Sequence, residues 1–393
     1  MAFKKFQADK IFTGAEMLSK SQVLITNEDG VIEEIIDESE AGENVQKLDG
    51  ILTPGFINCH CHLELSHMKG LIPKHTGLVD FVFKVVTQRQ FPEDEIQDAI
   101  QKAEDEMLQS GIVAVGDICN NLSSLAQKIK QNLYYHNFVE ASGWLPNGAD
   151  IRFERSKMFY DTFKRTFPAT TLVPHAPYSV SENLWHKLIP FFENDIATIH
   201  NQETVFEDEF FNLGSGDFIR MYELMKIDNS FFKPSKKSSL QSYFSKFEKA
   251  LSVVLVHNTF ASDEDVVYGN KQAEINRQLL NWCICINANQ YIEDALPPIQ
   301  MLRKNNCNIV IGTDSLASNH GLNILDELKT IHQNFANIPL EEMLQWVTFN
   351  GAKALNIQNQ FGSFEKGKSP GIVLIEHLEN DHISNKSTSR RVL

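Results

Sequence analysis

Ile51-Leu-Thr-Pro-Gly-Phe-Ile-Asn-Cys-His60 is an apolar run that ends on an imidazole, and the reading of the whole chain turns on it. Seven more runs share its texture: IVAVGDI (112–118), LYYHNFVE (133–140), TTLVPHA (170–176), IATIHNQE (196–203), SVVLVHN (252–258), WCICINA (282–288) and NIVIGTD (308–314). Between them lie segments of helical apolar spacing, such as 95–111, 183–194 and 323–337. Strands buried on both faces read as continuous apolar runs, and intervening helices make the sheet parallel. Eight such units predict an α/β fold of the (β/α)8 TIM-barrel type. An open doubly wound sheet is the weaker reading, since no G-x-G-x-x-G follows any run.

Outward from the eight units the texture changes. KKFQADKIF, QVLITNEDG and VIEEIIDE near the start, and IVLIE (372–376) near the end, read as short strands broken by turns. Residues 1–52 and 360–393 are therefore expected to pair into a small β-sandwich domain beside a barrel spanning 53–359. The final stretch, NDHISNKSTSRRVL, reads as a loose polar tail. Residues 204–250 form the longest interruption between runs. Their phenylalanines (Phe206, Phe210, Phe211, Phe231, Phe232) either line a pocket or anchor a lid.

Composition excludes several functions. Lys and Arg number 36 against 51 Asp and Glu, a net charge of −15 over 393 residues. That excess argues against an extended nucleic-acid surface and against docking on anionic membrane. No run approaches the 18 or so apolar residues that cross a bilayer, and the N-terminus lacks the apolar core of a signal peptide. The six cysteines are sparse and show no secreted-scaffold pattern, so a reducing cytoplasm is the expected address.

The chemistry gathers where runs end. His60, His62, His175, His200 and His257 fall at or just past the end of a run, and Asp314 closes the eighth. Strand ends that point imidazoles and a carboxylate into one rim describe a metal site. His60 and His62, two apart, are expected on one face, with Cys59 and Cys61 turned toward the helices. Cys283 and Cys285 read as small buried residues. Glu203, three residues after His200, suits a general acid/base, and His257 offers an imidazole to orient the attacking water or act as an electrophile. His175 is read as a substrate contact or a hydrogen-bonded rim residue.

Leu-Thr-Pro-Gly-Phe-Ile-Asn-Cys-His-Cys-His, His-Asn-Gln-Glu, Val-His-Asn and Gly-Thr-Asp-Ser-Leu-Ala-Ser-Asn, in this order, resemble the amidohydrolase superfamily. The resemblance runs over nearly the whole chain and is nearest to the metal-dependent deaminase and chlorohydrolase branch. It implies that His60, His62, His200 and Asp314 hold one divalent metal, Zn2+ first and Fe2+ as the alternative, with Glu203, His257 and Asp314 catalytic. Binuclear members carry a lysine at the end of the fourth strand, where this chain has Pro174-His175, so one metal is expected. Glu64, Ser66, Trp144, His175 and Tyr178 are the expected substrate contacts.

The implied reaction is hydrolytic release of ammonia from an aminated heterocycle. A purine or purine nucleoside is expected, with an aminodeoxyfutalosine-like compound as one candidate. Relatives often carry Cys-Pro-x-Ser-Asn after the seventh strand, where this chain has Cys285-Ile-Asn-Ala-Asn-Gln-Tyr; Asn287, Asn289 and Tyr291 are the expected replacements. The alternatives are hydrolysis of a cyclic amide, as in imidazolonepropionases, a chlorohydrolase, and a metal-free scaffold, against which the complete ligand set argues. The expected partner is a small-molecule substrate, and a homodimer is among the assemblies left open.

Overall fold

The computed structural model describes residues 3–393. The run at 51–60 proves to be two strands. β7 (Ile51–Pro54) belongs to a peripheral sheet and β8 (Phe56–Cys61) to a central one. The break is Gly55, where any Cβ would lie 2.3 Å from Val113 and 2.7 Å from the Pro370 carbonyl. Only glycine fits so close an approach.

Seven further strands follow β8 at the positions of the apolar runs: β9 (Ile112–Cys119), β10 (Tyr134–Ala141), β11 (Thr170–Pro174), β12 (Ile196–Asn201), β13 (Ser252–His257), β14 (Leu279–Ile284) and β15 (Asn308–Ile311). They form two four-stranded parallel sheets, ordered β11-β10-β9-β8 and β12-β13-β14-β15. The two sheets meet at both edges. His200 N donates to the His175 carbonyl at 3.0 Å on one side. On the other, Thr313 N and Asp314 N donate to the His60 carbonyl at 3.0 and 3.1 Å.

Helices cover the outer faces. In Glu93–Ser110, three acids in the first turn favour the positive end of the helix dipole, and Ile96, Ile100, Ala103 and Met107 form the buried stripe. Gly111, at φ 99°, closes that helix in the left-handed conformation. One apolar layer joins these helices to the outward residues of the strands, including Cys61, Val115, Leu255 and Trp282. A second fills the space between the sheets, from Ile57, Phe138, Val173, Val254, Val256 and Val310.

Cys59 lies in that inner layer with Cys283 and Cys285, while Cys61 lies in the outer one. Cys59 Sγ nevertheless lies against a helix, as expected, 3.2 Å from where a Cβ on Gly351 of the helix Phe349–Ala354 would stand. The pairing of β8 with β9 shifts register between Asn58 and Cys61, and such an irregularity changes which residues share a face.

Seven strands precede β8: β1 (Phe3–Gln7), β2 (Lys10–Phe12), β3 (Met17–Leu18), β4 (Gln22–Asn27), β5 (Ile32–Asp37), β6 (Val45–Lys47) and β7. Two follow β15: β16 (Ile372–Glu376) and β17 (Thr388–Arg391). They form sheets ordered β5-β4-β1-β6 and β17-β16-β7-β2-β3, so β16 from one end of the chain pairs antiparallel with β7 near the other. Phe6, Leu24, Leu52, Phe364 and Leu374 pack in the core they share. The polar stretch at the end is not a loose tail. Its Thr388–Arg391 backbone completes a sheet edge against β16, and Arg390 pairs with Glu376 across the strands at 2.9 Å.

Candidate active site

The C-terminal ends of β8, β12, β13 and β15 deliver the expected histidines and aspartate to one buried cluster. His60 Nε2 and His62 Nε2 lie 3.1 Å apart, and Asp314 Oδ1 lies 3.3 Å from His62 Nε2 and 3.6 Å from His60 Nε2. Ligand atoms of His60, His62 and His200 all fall within 4.8 Å of one another, as do those of His60, His257 and Asp314. All five residues are buried. Three imidazoles and a carboxylate converging in a buried site, with no lysine or arginine among them, are a donor set that fits a divalent cation.

The backbone is strained to present these groups. His257 (φ 74°), Asn258 (φ 56°) and Asp314 (φ 57°) all adopt left-handed conformations. Each costs about 1–2 kcal/mol for an L residue and persists only where the surroundings hold it. Asn258 is held by donating to the Leu255 and Cys283 carbonyls at 2.8 and 3.0 Å. Ser318 Oγ donates to Asp314 Oδ2 at 2.5 Å.

Two of the imidazoles, His257 and His200, are oriented from behind, whereas Nδ1 of His60 and of His62 has no hydrogen-bond partner. His257 Nδ1 donates to Asn289 Oδ1 at 2.8 Å, which leaves Nε2 facing the cluster as an acceptor. Burial lowers the pKa of His257 to about 3, so it is neutral at ordinary pH. His200 Nδ1 donates to the His175 carbonyl at 2.8 Å and lies 3.3 Å from Glu140 Oε1. Burial disfavours a charged His200, but the Glu140 carboxylate outweighs it and raises the pKa. Glu140 itself stays ionised: burial alone would raise it, and the neighbouring His175 and His200 pull it below the usual carboxylate range.

Glu203 completes the inner end, with Oε1 3.5 Å from His257 Nε2. Burial lifts its carboxyl well above the usual range; the charge of His200 opposes this and Asp314 adds to it. A protonated, buried carboxyl beside a neutral imidazole can donate a proton to a bound ring.

These groups floor a cavity of about 290 Å³. Trp144, Tyr178 and Tyr222 form one wall, and the outer wall is apolar, from Phe81, Val82 and Val85 of the helix Leu78–Gln88 together with Met221, Met225 and Ile227. Trp144 stacks on Tyr222 with ring centroids 5.4 Å apart and donates Nε1 to Asn229 at 2.7 Å. Tyr178 stacks on Phe218 at 4.2 Å. His175 lines the cavity beside His200 with Nδ1 against Ser179 Oγ at 2.9 Å. Glu64 also lines it: Oε2 accepts the Asn120 and Asn121 amides, Oε1 has no partner, and burial pushes the pKa up to about 7.

Three expectations need correction. Ser66 does not line the cavity; its hydroxyl donates to the Leu63 carbonyl at 2.7 Å within the short 3-10 helix Leu63–Met68. Asn287, Asn289 and Tyr291 are spent inside the protein, on Glu327, His257 and the Ile72 carbonyl. Among the phenylalanines of 204–250, Phe210 and Phe232 stack at 4.2 Å and brace Trp144, while the cavity lining from this stretch is Met221, Tyr222, Met225 and Ile227. Sequence reasoning missed Glu140, Asn120, Arg89 and Arg152 at the site. Glu140 ends the third run and was visible there as a strand-end carboxylate; the others sit in no motif.

Comparison with known proteins agrees with this geometry. An adenosine deaminase of Helicobacter pylori is 28% identical over 81% of this chain and 77% of its own length. A 5-methylthioadenosine/S-adenosylhomocysteine deaminase of Teredinibacter turnerae is 25% identical over 84% of this chain and 73% of its own. The crystal structure of Helicobacter pylori aminofutalosine deaminase in complex with methylthio-coformycin superposes with a TM-score of 0.78, covering 96% of this chain and 93% of that one at 24% identity. The model of the amidohydrolase family matches residues 51–209 and 224–393. With His60, His62, His200, Glu203, His257 and Asp314 gathered at one rim inside that match, the chain belongs to the amidohydrolase family.

Proposed function

We propose that this protein is a metal-dependent hydrolytic deaminase that releases ammonia from an aminated purine, with a purine nucleoside as the preferred substrate. The observation that carries the reading is Glu203: a buried carboxyl 3.5 Å from His257 Nε2, open to the cavity floor beside the four candidate ligands. The names of the relatives support the substrate class, since the two sequence relatives above are named as adenosine and 5-methylthioadenosine/S-adenosylhomocysteine deaminases.

The parallel sheets, joined at both edges, are read as one closed (β/α)8 barrel spanning about 53–359, and the two flanking sheets as a β-sandwich built from 1–52 and 360–393. His60, His62, His200 and Asp314 would hold the metal, zinc before ferrous iron for a His3Asp donor set. When bound, such a cation polarises water and brings its pKa toward neutrality. His257, neutral and fixed by Asn289, orients the attacking water through Nε2. Asp314 accepts a proton from that water. Glu203 gives its proton to the ring nitrogen next to the amine-bearing carbon, so charge does not accumulate on the ring as the new carbon–oxygen bond forms. Asp314 passes its proton to the amine and the carbon–nitrogen bond breaks; ammonia leaves as the new hydroxyl gives up its proton to become the ring carbonyl, and that proton restores Glu203. Trp144 and Tyr178 offer faces for the heterocycle, and Glu64 an unpaired oxygen for a hydroxyl or ring N–H. Six unpaired cysteines, five of them buried, suit a reducing cytoplasm.

The test is ammonia release by the zinc-loaded protein from adenine, guanine, cytosine, their nucleosides, S-adenosylhomocysteine and aminodeoxyfutalosine. Release that falls about a hundredfold or more in Glu203→Gln, with metal content unchanged, is the expected outcome. Silence across the panel from metal-loaded protein would reject the reading in favour of a cyclic-amide hydrolase or chlorohydrolase.

A further inference from the structure

Strand β9 supplies none of the candidate ligands, yet its C-terminal end touches the segments that carry two of them. Asp117 Oδ1 accepts the Leu63 amide at 2.9 Å, and that amide belongs to the peptide bond leaving His62. Just beyond the strand's end, the Asn120 and Asn121 amides donate to Glu64 Oε2 at 3.0 and 3.1 Å. Asn120 Nδ2 donates to Glu140 Oε2 at 3.0 Å, and the other oxygen of Glu140 faces His200 Nδ1 at 3.3 Å. One strand end thus holds the backbone beside His62 and fixes the Glu140 carboxylate that lies against His200 Nδ1.

Asp117 is itself held by a group the reaction does not use. Lys128 lies 2.5 Å from Asp117 Oδ2, and both side chains are completely buried. Its ammonium also donates to Asn137 Oδ1 at 2.8 Å and to Cys119 Sγ at 3.2 Å, so all three N–H bonds have partners. The rings of Tyr135 and Phe163 lie 4.9 and 5.1 Å away. Well-packed apolar residues often stabilise a core as well as a buried ion pair does, so the pair needs a reason beyond stability.

The geometry points to Asp117, fixed by Lys128, as a positioning residue for the metal centre: its carboxylate sets the His62–Leu63 peptide while Asn120 fixes the Glu140 carboxylate beside His200. Oriented outer partners of this kind typically change metal affinity by about 10–100-fold. The inference rests on the ligand assignment above, and the experiment separates the two.

Zinc affinity is measured by competition with a chromophoric chelator, beside the absorption spectrum of the Co2+-substituted protein and the melting temperature of the metal-free protein. The parent should bind one zinc and His200→Ala should not; failure there rejects the ligand assignment without reference to Asp117. Asp117→Asn/Lys128→Met keeps an acceptor for the Leu63 amide, and its zinc affinity should stay within about threefold of the parent. Asp117→Leu/Lys128→Met removes the acceptor. It should lose about 10–100-fold in zinc affinity and alter the Co2+ spectrum, at a metal-free melting temperature matching that of the Asn/Met variant. A folded Leu/Met protein with parental affinity and spectrum overturns the inference. Should that variant not fold, Asn120→Ala decides: about a tenfold loss of affinity supports it, and affinity within about twofold of the parent overturns it.

Discussion

His257 and Asp314 were legible in the sequence as residues that end apolar runs, but their left-handed backbone was not. Nothing in Val-His-Asn or Gly-Thr-Asp announces φ above zero; the conformation follows from the Asn258 and Ser318 bonds that only the fold assembles. Ser66 shows the converse. Counting by twos from His62 carries Glu64 and Ser66 to one face only if the strand continues. The chain instead enters a 3-10 turn at Leu63, where residues three apart meet, so Ser66 bonds back to Leu63. Glu64 still reaches the cavity because the Asn120 and Asn121 amides hold its other oxygen. Glu64→Gln should raise KM by about 10–100-fold, the worth of a hydrogen bond to a charged group, whereas Ser66→Ala should leave kcat/KM within about twofold. Steady-state kinetics on the two variants check this; equal effects would contradict the placement.

The strands were the most legible elements, because burial on both faces leaves a continuous apolar run for each. Their ends were less so. Only the pairing partners divide 51–60 at Gly55, and only the antiparallel match to β16 turns Thr388–Arg391 into a strand. The helix Val205–Leu213, which follows the Glu203 loop, carries a buried carboxyl that no periodicity revealed. Glu207 Oε1 accepts the Gln202 amide and the Ser239 hydroxyl, Oε2 has no partner, and burial raises the pKa from 4.5 to about 8. A carboxyl raised on folding favours the folded state most when protonated. Its contribution is full below pH 4.5 and is lost as pH rises toward 8. Gln keeps the accepting oxygen and cannot ionise, so the stability of Glu207→Gln relative to the parent should improve from about pH 5 to about pH 8. Urea melts of the two proteins across that range check the sign; an unchanging difference would contradict the assigned cause.

At the scale of the molecule, the amidohydrolase fold brings groups from residues 60 to 314 to one rim, and stability should reflect what binds there. A ligand at a thousand times its Kd adds about 4 kcal/mol to the folded state. Stripping the metal should therefore lower Tm by several degrees, zinc should restore it, and His200→Ala should abolish the difference; differential scanning calorimetry reads all three. The order of the motifs makes the family readable from the amino-acid sequence alone, together with the residues that gather as candidate ligands. The apolar outer wall and Glu140 were not readable in their roles, because they come from elements whose sequences carry no chemistry until they are packed together.

Hydrolytic deamination is decided by zinc-loaded protein acting on adenosine or 5-methylthioadenosine in 18O-labelled water. The predicted result is one ammonia released for each product formed, with a single 18O on the ring carbon that carried the amine and the ring intact. Ring opening, or no label at that carbon from protein holding its full metal complement, would contradict it.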